Sequence, residues 1–155
     1  MAEAAAWAKD KGMDFLQMLQ DIYIKYGFSR EEGISVVRKG KSGAEEIVAM
    51  MKNFRSNPPK SLGGSDVVII KDYDSLELTD VKAGKVEKLE MPTTSNVLQF
   101  FTEDGTKISV RPSGTEPKIK FYVEVKGHMA SGAEYDKAIA DADAKIALIK
   151  KDLGI

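Results

Sequence analysis

The chain has 155 residues, no cysteine and a formal net charge of -1, with 23 lysines and arginines against 24 aspartates and glutamates. The absence of cysteine excludes a disulfide scaffold and a cysteine-based zinc site. Charges of both signs are interleaved, so we expect neither nucleic acid nor an anionic membrane as a partner. The alanine-rich start is interrupted by Glu3, which argues against a signal peptide or membrane span, and we expect a cytoplasmic protein.

The first 27 residues predict an amphipathic helix. Apolar side chains recur at three- and four-residue spacing from Phe15 to Tyr26, and Gly12 separates them from a shorter helical start. Gly27 is typical of a helix end, and residues 28–33, with four polar residues from Ser29 to Glu32, predict a linker. So wide an apolar face must pack on another surface. The residues leave open whether that surface belongs to this domain or to a preceding one.

Residues 34–155 predict one α+β domain. A capping box at Ser42 opens a helix that ends near Asn57, before two prolines, and a second capping box at Ser131 opens the last helix. Residues 74–94 read as a polar loop in which 86–89 have strand character. Strands are predicted at 34–38, 67–70, 97–102, 107–111 and 118–126. This order predicts an antiparallel sheet with helices packed on one face.

The turn between the last two strands is the segment from which chemistry can be read. It contains Arg111, Pro112, Ser113, Gly114, Thr115, Glu116 and Pro117, followed by Lys118 and Lys120. An arginine fork can meet two phosphate oxygens, hydroxyls can donate to others, and glycine lets backbone N–H groups approach closely. The same residue types are common in surface turns, and the glutamate would repel a phosphate. Residue types alone therefore leave a phosphate-binding loop and a plain turn both open.

Two other candidates have simpler interpretations. Asp141 and Asp143 resemble a metal-binding run, but they lie in a helical pattern that spreads their side chains apart, so a solvated helix face is preferred. His128 lies between a strand and the second capping box without another histidine or any cysteine nearby, and is interpreted as a loop residue.

The segment from Arg111 to Tyr122 resembles the signature of the fourth, C-terminal domain of the α-D-phosphohexomutases, the phosphoglucomutases and phosphomannomutases. In that family the loop reads Arg-x-Ser-Gly/Asn-Thr and binds the sugar phosphate group that is not being transferred. The matching residues here are Arg111, Ser113, Gly114 and Thr115, with Lys120 at the place where many members have a basic residue. Three further stretches resemble the branch with bacterial phosphoglucomutases: 50–59, 72–73 and 95–100.

The resemblance implies a division of the chain. Residues 1–27 would be the last helix of a preceding mutase domain, 28–33 a linker, and 34–155 a C-terminal phosphate-binding domain. The family's fourth domain is an antiparallel sheet likened in shape to the TATA-binding protein, a likeness of fold only.

The resemblance also implies what this chain lacks. The family's phosphoserine loop, acidic magnesium loop and sugar-recognition loop are not found in it. We therefore expect a non-catalytic piece of a longer mutase that binds no cofactor itself, with magnesium belonging to the full-length enzyme. Its expected partners are a sugar phosphate and the remaining domains of the same polypeptide. The alternative is a stand-alone module that binds phosphorylated ligands without enzymatic activity.

Overall fold

The computed structural model describes all residues of the chain, Met1–Ile155. A 3-10 helical turn at Gly132–Glu134 precedes the last helix. The helices are α1 (Ala2–Asp10), α2 (Phe15–Tyr26), α3 (Gly40–Ser56) and α4 (Tyr135–Leu153). The strands are β1 (Phe28–Val37), β2 (Ser61–Leu62), β3 (Ser65–Asp72), β4 (Glu77–Asp80), β5 (Lys85–Lys88), β6 (Leu98–Thr102), β7 (Lys107–Pro112) and β8 (Lys118–Gly127). No helix combines the length and apolar character needed to cross a membrane.

The strands form one sheet in the order β1-β8-β7-β6-β3-β4-β5, with β2 paired to β3 beside this path. The pairs β3–β4, β4–β5, β3–β6, β6–β7 and β7–β8 are antiparallel. Four of these pairings join strands that are consecutive in the chain, as hairpins require. The α+β fold with an antiparallel sheet that the sequence predicts is confirmed.

One face of the central strands forms the core. Leu98 lies opposite Val110, which lies opposite Phe121, and all three side chains are buried. The intervening residues Ser109 and Tyr122 pair on the other face, where Tyr122 is exposed. This alternation means that one face packs under helices while the other remains open to ligands.

The chain divides into two compact units, one formed by residues 1–30 and 126–144 and the other by residues 31–125 and 145–155. In the first unit the Tyr23 ring packs edge-on against Phe28 at 5.0 Å and stacks with Tyr135 at 6.4 Å between centroids. Arg30 forms an ion pair with Asp143 at 2.8 Å. The two Tyr23 contacts give α2 partners within its own unit.

The second unit contains the sheet core and α3. Phe54 of α3 packs edge-on against Phe100 and Phe121, each at 6.2 Å between ring centroids. Ile47 and Met51, at helical spacing before it, are buried on the same helix. The amphipathic pattern of α3 therefore covers the apolar face of the central strands, as its sequence predicts.

The structure differs from the sequence-based prediction in two segments. Residues 28–33, read as a linker, lie within β1, because a strand at the end of a sheet can keep polar side chains exposed on alternate positions. Residues 74–94, read as a polar loop with strand character at 86–89, contain the hairpin β4–β5. The strand expected at 86–89 is present as β5, although every side chain of β5 is exposed, whereas β4 was not expected. Neither the first half of β1 nor the β4–β5 hairpin has the alternation of buried apolar and exposed polar residues that identifies a strand in a sequence.

The predicted capping boxes are also different from those observed. α3 begins at Gly40, two residues before Ser42, and Ser131 makes no side-chain capping bond, although Glu134 accepts a hydrogen bond from the N–H of Ala130. A complete capping box instead opens α2, where Asp14 accepts from the N–H of Gln17 and the Gln17 side chain accepts from the N–H of Asp14.

Candidate phosphate-binding site

The predicted loop occupies residues 113–117, between β7 and β8. It is closed by a hydrogen bond from the N–H of Ser113 to the carbonyl of Lys118, at 2.8 Å. Within it the N–H of Lys118 donates to the carbonyl of Glu116, at 2.7 Å. One further bond joins it to the segment after β1, from the N–H of Arg38 to the carbonyl of Pro117, at 2.9 Å. The ends of the loop are thus fixed to β7, to β8 and to the segment that follows β1.

Two cations face each other at the base of the loop. Arg111 on β7 lies directly opposite Lys120 on β8, and both alternate with the buried pair Val110 and Phe121. They therefore belong to the open face of the sheet. Neither side chain forms an ion pair or a hydrogen bond with another residue of the chain. Like charges directly opposite on a sheet destabilise it, and a bound anion would remove that cost.

The acidic residue of the loop is neutralised by a neighbour. Glu116 forms an ion pair with Lys118. The hydrogen bond and the charge of Lys118 lower the pKa of the Glu116 carboxyl below its ordinary value, with a smaller contribution from the charge of Lys120. Glu116 therefore stays ionised but paired, and its expected repulsion of a phosphate is reduced.

The centre of the loop is open. The Ser113 hydroxyl oxygen accepts a long hydrogen bond of 3.5 Å from the N–H of Thr115, which leaves the hydroxyl hydrogen free to donate elsewhere. A Cβ atom added at Gly114 would meet no atom within 4 Å, and its φ is outside the positive range that favours glycine. Nothing in the chain itself requires a glycine here, whereas a ligand that approaches the backbone closely would.

A groove of about 650 Å³ runs between the loop and α3. Ser113, Gly114 and Thr115 line one side, and α3 contributes mainly apolar side chains on the other. Arg111 and Lys120 are not among the lining residues. The structure thus brings the five predicted site residues onto one loop and its base, with the two cations on the open face and the other three along the groove.

Sequence reasoning did not identify a hydrogen-bonded cluster of which two members, Arg55 and Asn96, line this groove. Arg55 of α3 donates to Asp72 at 2.8 Å and to the side chain of Asn96 at 2.7 Å. These three residues come from the three stretches that resemble bacterial phosphoglucomutases and had no assigned role: 50–59, 72–73 and 95–100. The signal available in the sequence was that an arginine, an aspartate and an asparagine occur in these three stretches. One arginine fork can donate to acceptors from two other segments and so join all three.

The remaining candidates are not part of the loop. His128 is exposed between β8 and the 3-10 turn. Asp141 pairs with Lys137 one helical turn away, and Asp143 pairs with Arg30, so both carboxylates already have cationic partners. No group of three or more His, Cys, Asp or Glu side chains lies close enough to hold a metal ion.

Comparison with known proteins bears on this region directly. Residues 66–142 match the family model described as the C-terminal domain of phosphoglucomutase/phosphomannomutase, and they include the whole loop. The chain is 38% identical to a phosphoglucomutase of Staphylococcus saprophyticus over 115 residues. These residues are 74% of this chain and 20% of that protein. It is 34% identical over 125 residues to a phosphoglucomutase of Staphylococcus epidermidis, with 81% and 22% covered.

The chain spans about 20% of the length of the curated relatives it matches. The matched region begins in β3, ends in α4 and contains the sheet strands that hold Arg111 and Lys120. The agreement of the family model, the named relatives and the loop sequence leads to one conclusion. The chain belongs to the phosphoglucomutase/phosphomannomutase family, of which it carries the C-terminal domain.

Proposed function

We propose that this chain is the phosphate-holding domain of a phosphohexomutase that interconverts hexose 1-phosphates and 6-phosphates. In this proposal the domain binds the phosphate group that is not being transferred. The observation that carries it is the pair Arg111 and Lys120, directly opposite each other and without a carboxylate partner beside an open hydroxyl-bearing loop. Such a pair is favourable when a dianion lies between the two cations.

The chain's own residues would act by binding and positioning. The Arg111 guanidinium would meet two phosphate oxygens, Lys120 would add a single charge, and the Ser113 and Thr115 hydroxyls would donate to the remaining oxygens. Holding one phosphate fixes the distance and direction of the other, which contributes to catalysis through orientation. Closure of this domain over the sugar would also exclude water from the reacting phosphate.

The remaining chemistry would come from other domains of the same polypeptide. We expect the magnesium that the family resemblance implies to be bound by those other domains. We also expect residues 1–27 to be the end of the preceding mutase domain. The isolated chain should therefore leave glucose 1-phosphate unchanged in a coupled assay. Turnover that increases in proportion to the purified chain would contradict this expectation.

A titration tests the binding proposal on the chain itself. When glucose 6-phosphate is added and the titration is monitored by NMR, we expect the backbone amide signals of Ser113, Gly114 and Thr115 to shift. Glucose without phosphate should not shift them. Charge-assisted hydrogen bonds are each worth roughly 1.5 to 3 kcal/mol, so Arg111→Ala should weaken binding by about 10- to 150-fold. Ser113→Ala and Lys120→Ala should have smaller effects, since each removes a neutral bond or one flexible charge.

The control for the titration is a substitution on the same open face. Tyr122 is exposed two residues after Lys120 and carries no charge, so Tyr122→Phe should leave the affinity for glucose 6-phosphate unchanged. If Arg111→Ala and the unaltered chain bind glucose 6-phosphate equally, or neither binds it, the loop is a plain turn and the proposal is wrong.

A further inference from the structure

The loop is held from one side by a residue that is not part of it. Arg38 follows the last residue of β1, and its N–H donates to the carbonyl of Pro117, the last residue of the loop. This is the one hydrogen bond that joins residues 113–117 to a segment outside β7 and β8. The position of the Arg38 backbone therefore helps to determine where the end of the loop lies.

Arg38 is in turn fixed by α3. A Cβ atom at Gly43 would lie 2.6 Å from the Arg38 carbonyl carbon, 2.7 Å from its Cβ and 2.9 Å from its carbonyl oxygen. Real Cβ atoms essentially never make contacts this short, so any side chain at position 43 would force α3 and the Arg38 backbone apart. One turn further along, Glu46 forms an ion pair with the Arg38 guanidinium at 3.2 Å. The helix thus contacts both the backbone and the side chain of Arg38.

We propose that Gly43 is a positioning residue for the phosphate-binding loop. Its missing side chain lets α3 seat Arg38 so that the Arg38 N–H meets Pro117, and α3 thereby sets the position of the loop without touching the ligand. This inference rests on the proposed function, because the loop it positions is the proposed phosphate site. A groove of about 650 Å³ lies between α3 and the loop. Arg38 contacts α3 at Gly43 and Glu46 and is hydrogen-bonded to the loop at Pro117.

The direct test is Gly43→Ala in the complete 155-residue chain. In an ordinary helix this change favours folding, since alanine has the higher helix propensity. Here the added methyl group must push Arg38 away. We expect faster hydrogen exchange of the Arg38 amide, shifted amide signals of Ser113, Gly114 and Thr115, and roughly tenfold weaker binding of glucose 6-phosphate, comparable to losing one charge-assisted hydrogen bond.

Two further variants separate positioning from general destabilisation. A Cβ atom at Gly63, where φ is 59°, would lie 2.8 Å from Cγ1 of Ile149, a short contact that involves neither Arg38, α3 nor the loop. Gly63→Ala should lower the melting temperature but leave Arg38 exchange and sugar phosphate affinity unchanged. Glu46→Gln releases the Arg38 guanidinium without adding bulk, so it should fold even if Gly43→Ala does not, and should shift the loop signals in the same direction by less.

The outcomes distinguish this inference from the function on which it rests. If the unaltered chain does not bind glucose 6-phosphate, the proposed function is wrong and this inference with it. If the unaltered chain binds and Arg111→Ala weakens binding, but Gly43→Ala and Glu46→Gln leave both Arg38 exchange and affinity unchanged, the proposed function stands and the positioning role of Gly43 is rejected.

Discussion

The two ends of β7 carry two hairpin loops that use their polar groups in opposite ways. In the loop before β7, residues 103–106, Asp104 accepts hydrogen bonds from the Thr102 hydroxyl at 2.7 Å and the Thr106 N–H at 3.2 Å, and forms an ion pair with Lys145. At the other end of β7, Arg111 forms no such bond, and in the following loop a Cβ added at Gly114 would meet only open space.

The difference shows how a structural turn can be distinguished from a candidate ligand site. Both loops are short, polar and contain glycine, so residue composition does not separate them. Their hydrogen bonds and ion pairs do separate them. Asp104 of the first loop has partners in its own hairpin and in α4, whereas Arg111 and Lys120 at the base of the second loop form no ion pair or hydrogen bond. Polar groups that stay unpaired in a folded chain are available to a ligand, and this supports the phosphate proposal over a plain turn.

The largest effect should come from removing the central residue of the first loop. Asp104→Ala deprives Thr102, Thr106 and Lys145 of an acceptor, and we expect it to lower the free energy of unfolding by about 1 to 3 kcal/mol. Urea unfolding followed by circular dichroism measures this. Glucose 6-phosphate binding by the folded variant should stay as in the unaltered chain, and Arg111→Ala should show the reverse behaviour. Equal stability of Asp104→Ala and the unaltered chain would contradict the comparison.

A matched pair of glycine substitutions tests the comparison between the two loops further. Gly105 has a φ of 82°, so Gly105→Ala should cost about 1 kcal/mol of stability through backbone strain. Gly114 has neither a positive φ nor a close neighbour, so Gly114→Ala should leave stability unchanged but weaken glucose 6-phosphate binding by about tenfold if the phosphate approaches the backbone. A loss of stability in Gly114→Ala without a loss of binding would contradict this assignment.

The same contrast predicts a pH dependence of stability. Partial burial raises the pKa of Asp104, but hydrogen bonds from Lys145, Thr102 and Thr106 outweigh it and lower the pKa well below the ordinary value of 3.8. A carboxyl whose pKa is lower in the folded state stabilises above its unfolded pKa, and this contribution is lost as the pH falls through the folded value. Urea unfolding at pH 7 and pH 3 should therefore show that Asp104→Asn is less stable than the unaltered chain at pH 7 and that the gap narrows at pH 3. A gap that widens on acidification would show that the sign is wrong.

The smallest effects should come from the ion pair inside the second loop. Lys118→Gln frees the Glu116 carboxylate and should weaken glucose 6-phosphate binding, whereas Glu116→Gln frees the Lys118 ammonium and should strengthen it. Because Glu116 is exposed and Lys118 is partly exposed, we expect changes of only about two- to threefold in each direction. At low salt, the glucose 6-phosphate affinity of Lys118→Gln should fall below that of the unaltered chain, and that of Glu116→Gln should rise above it by a similar factor. Changes of the same sign would mean that the pair acts on the shape of the loop instead of its charge.

The sequence predicts the chemistry of the candidate site better than its supports. Arg111 and Lys120 could be placed together because alternation along two neighbouring strands puts both on the open face. The supporting role of Gly43 could not be identified from the sequence. Position 43 must lack a side chain because α3 lies close to Arg38 in the folded chain. The distance between them is a product of tertiary packing, which a pattern within one helix does not encode.

Local signals also failed where two patterns compete. Ser42 and Ser131 each stand three residues before a glutamate, the pattern of a capping box, but neither caps a helix with its side chain. In α3 the backbone enters the helix earlier, at Gly40, whose φ of 74° allows the turn from Lys39. The extent of β1 was missed because its first half is polar, and only pairing in the folded sheet identifies it as a strand.

The strand order has a consequence for how this domain folds. The hairpins β6–β7 and β7–β8 close short loops, but β1 lies next to β8, about 90 residues later in the chain. Closing so long a loop is entropically costly and slow, so strands that pair locally should form first and β1 should join late. The bond from Arg38 to Pro117 would then form at the end of folding. The turn between β7 and β8 would exist early, while its ligand-ready shape would be acquired only with the last strand.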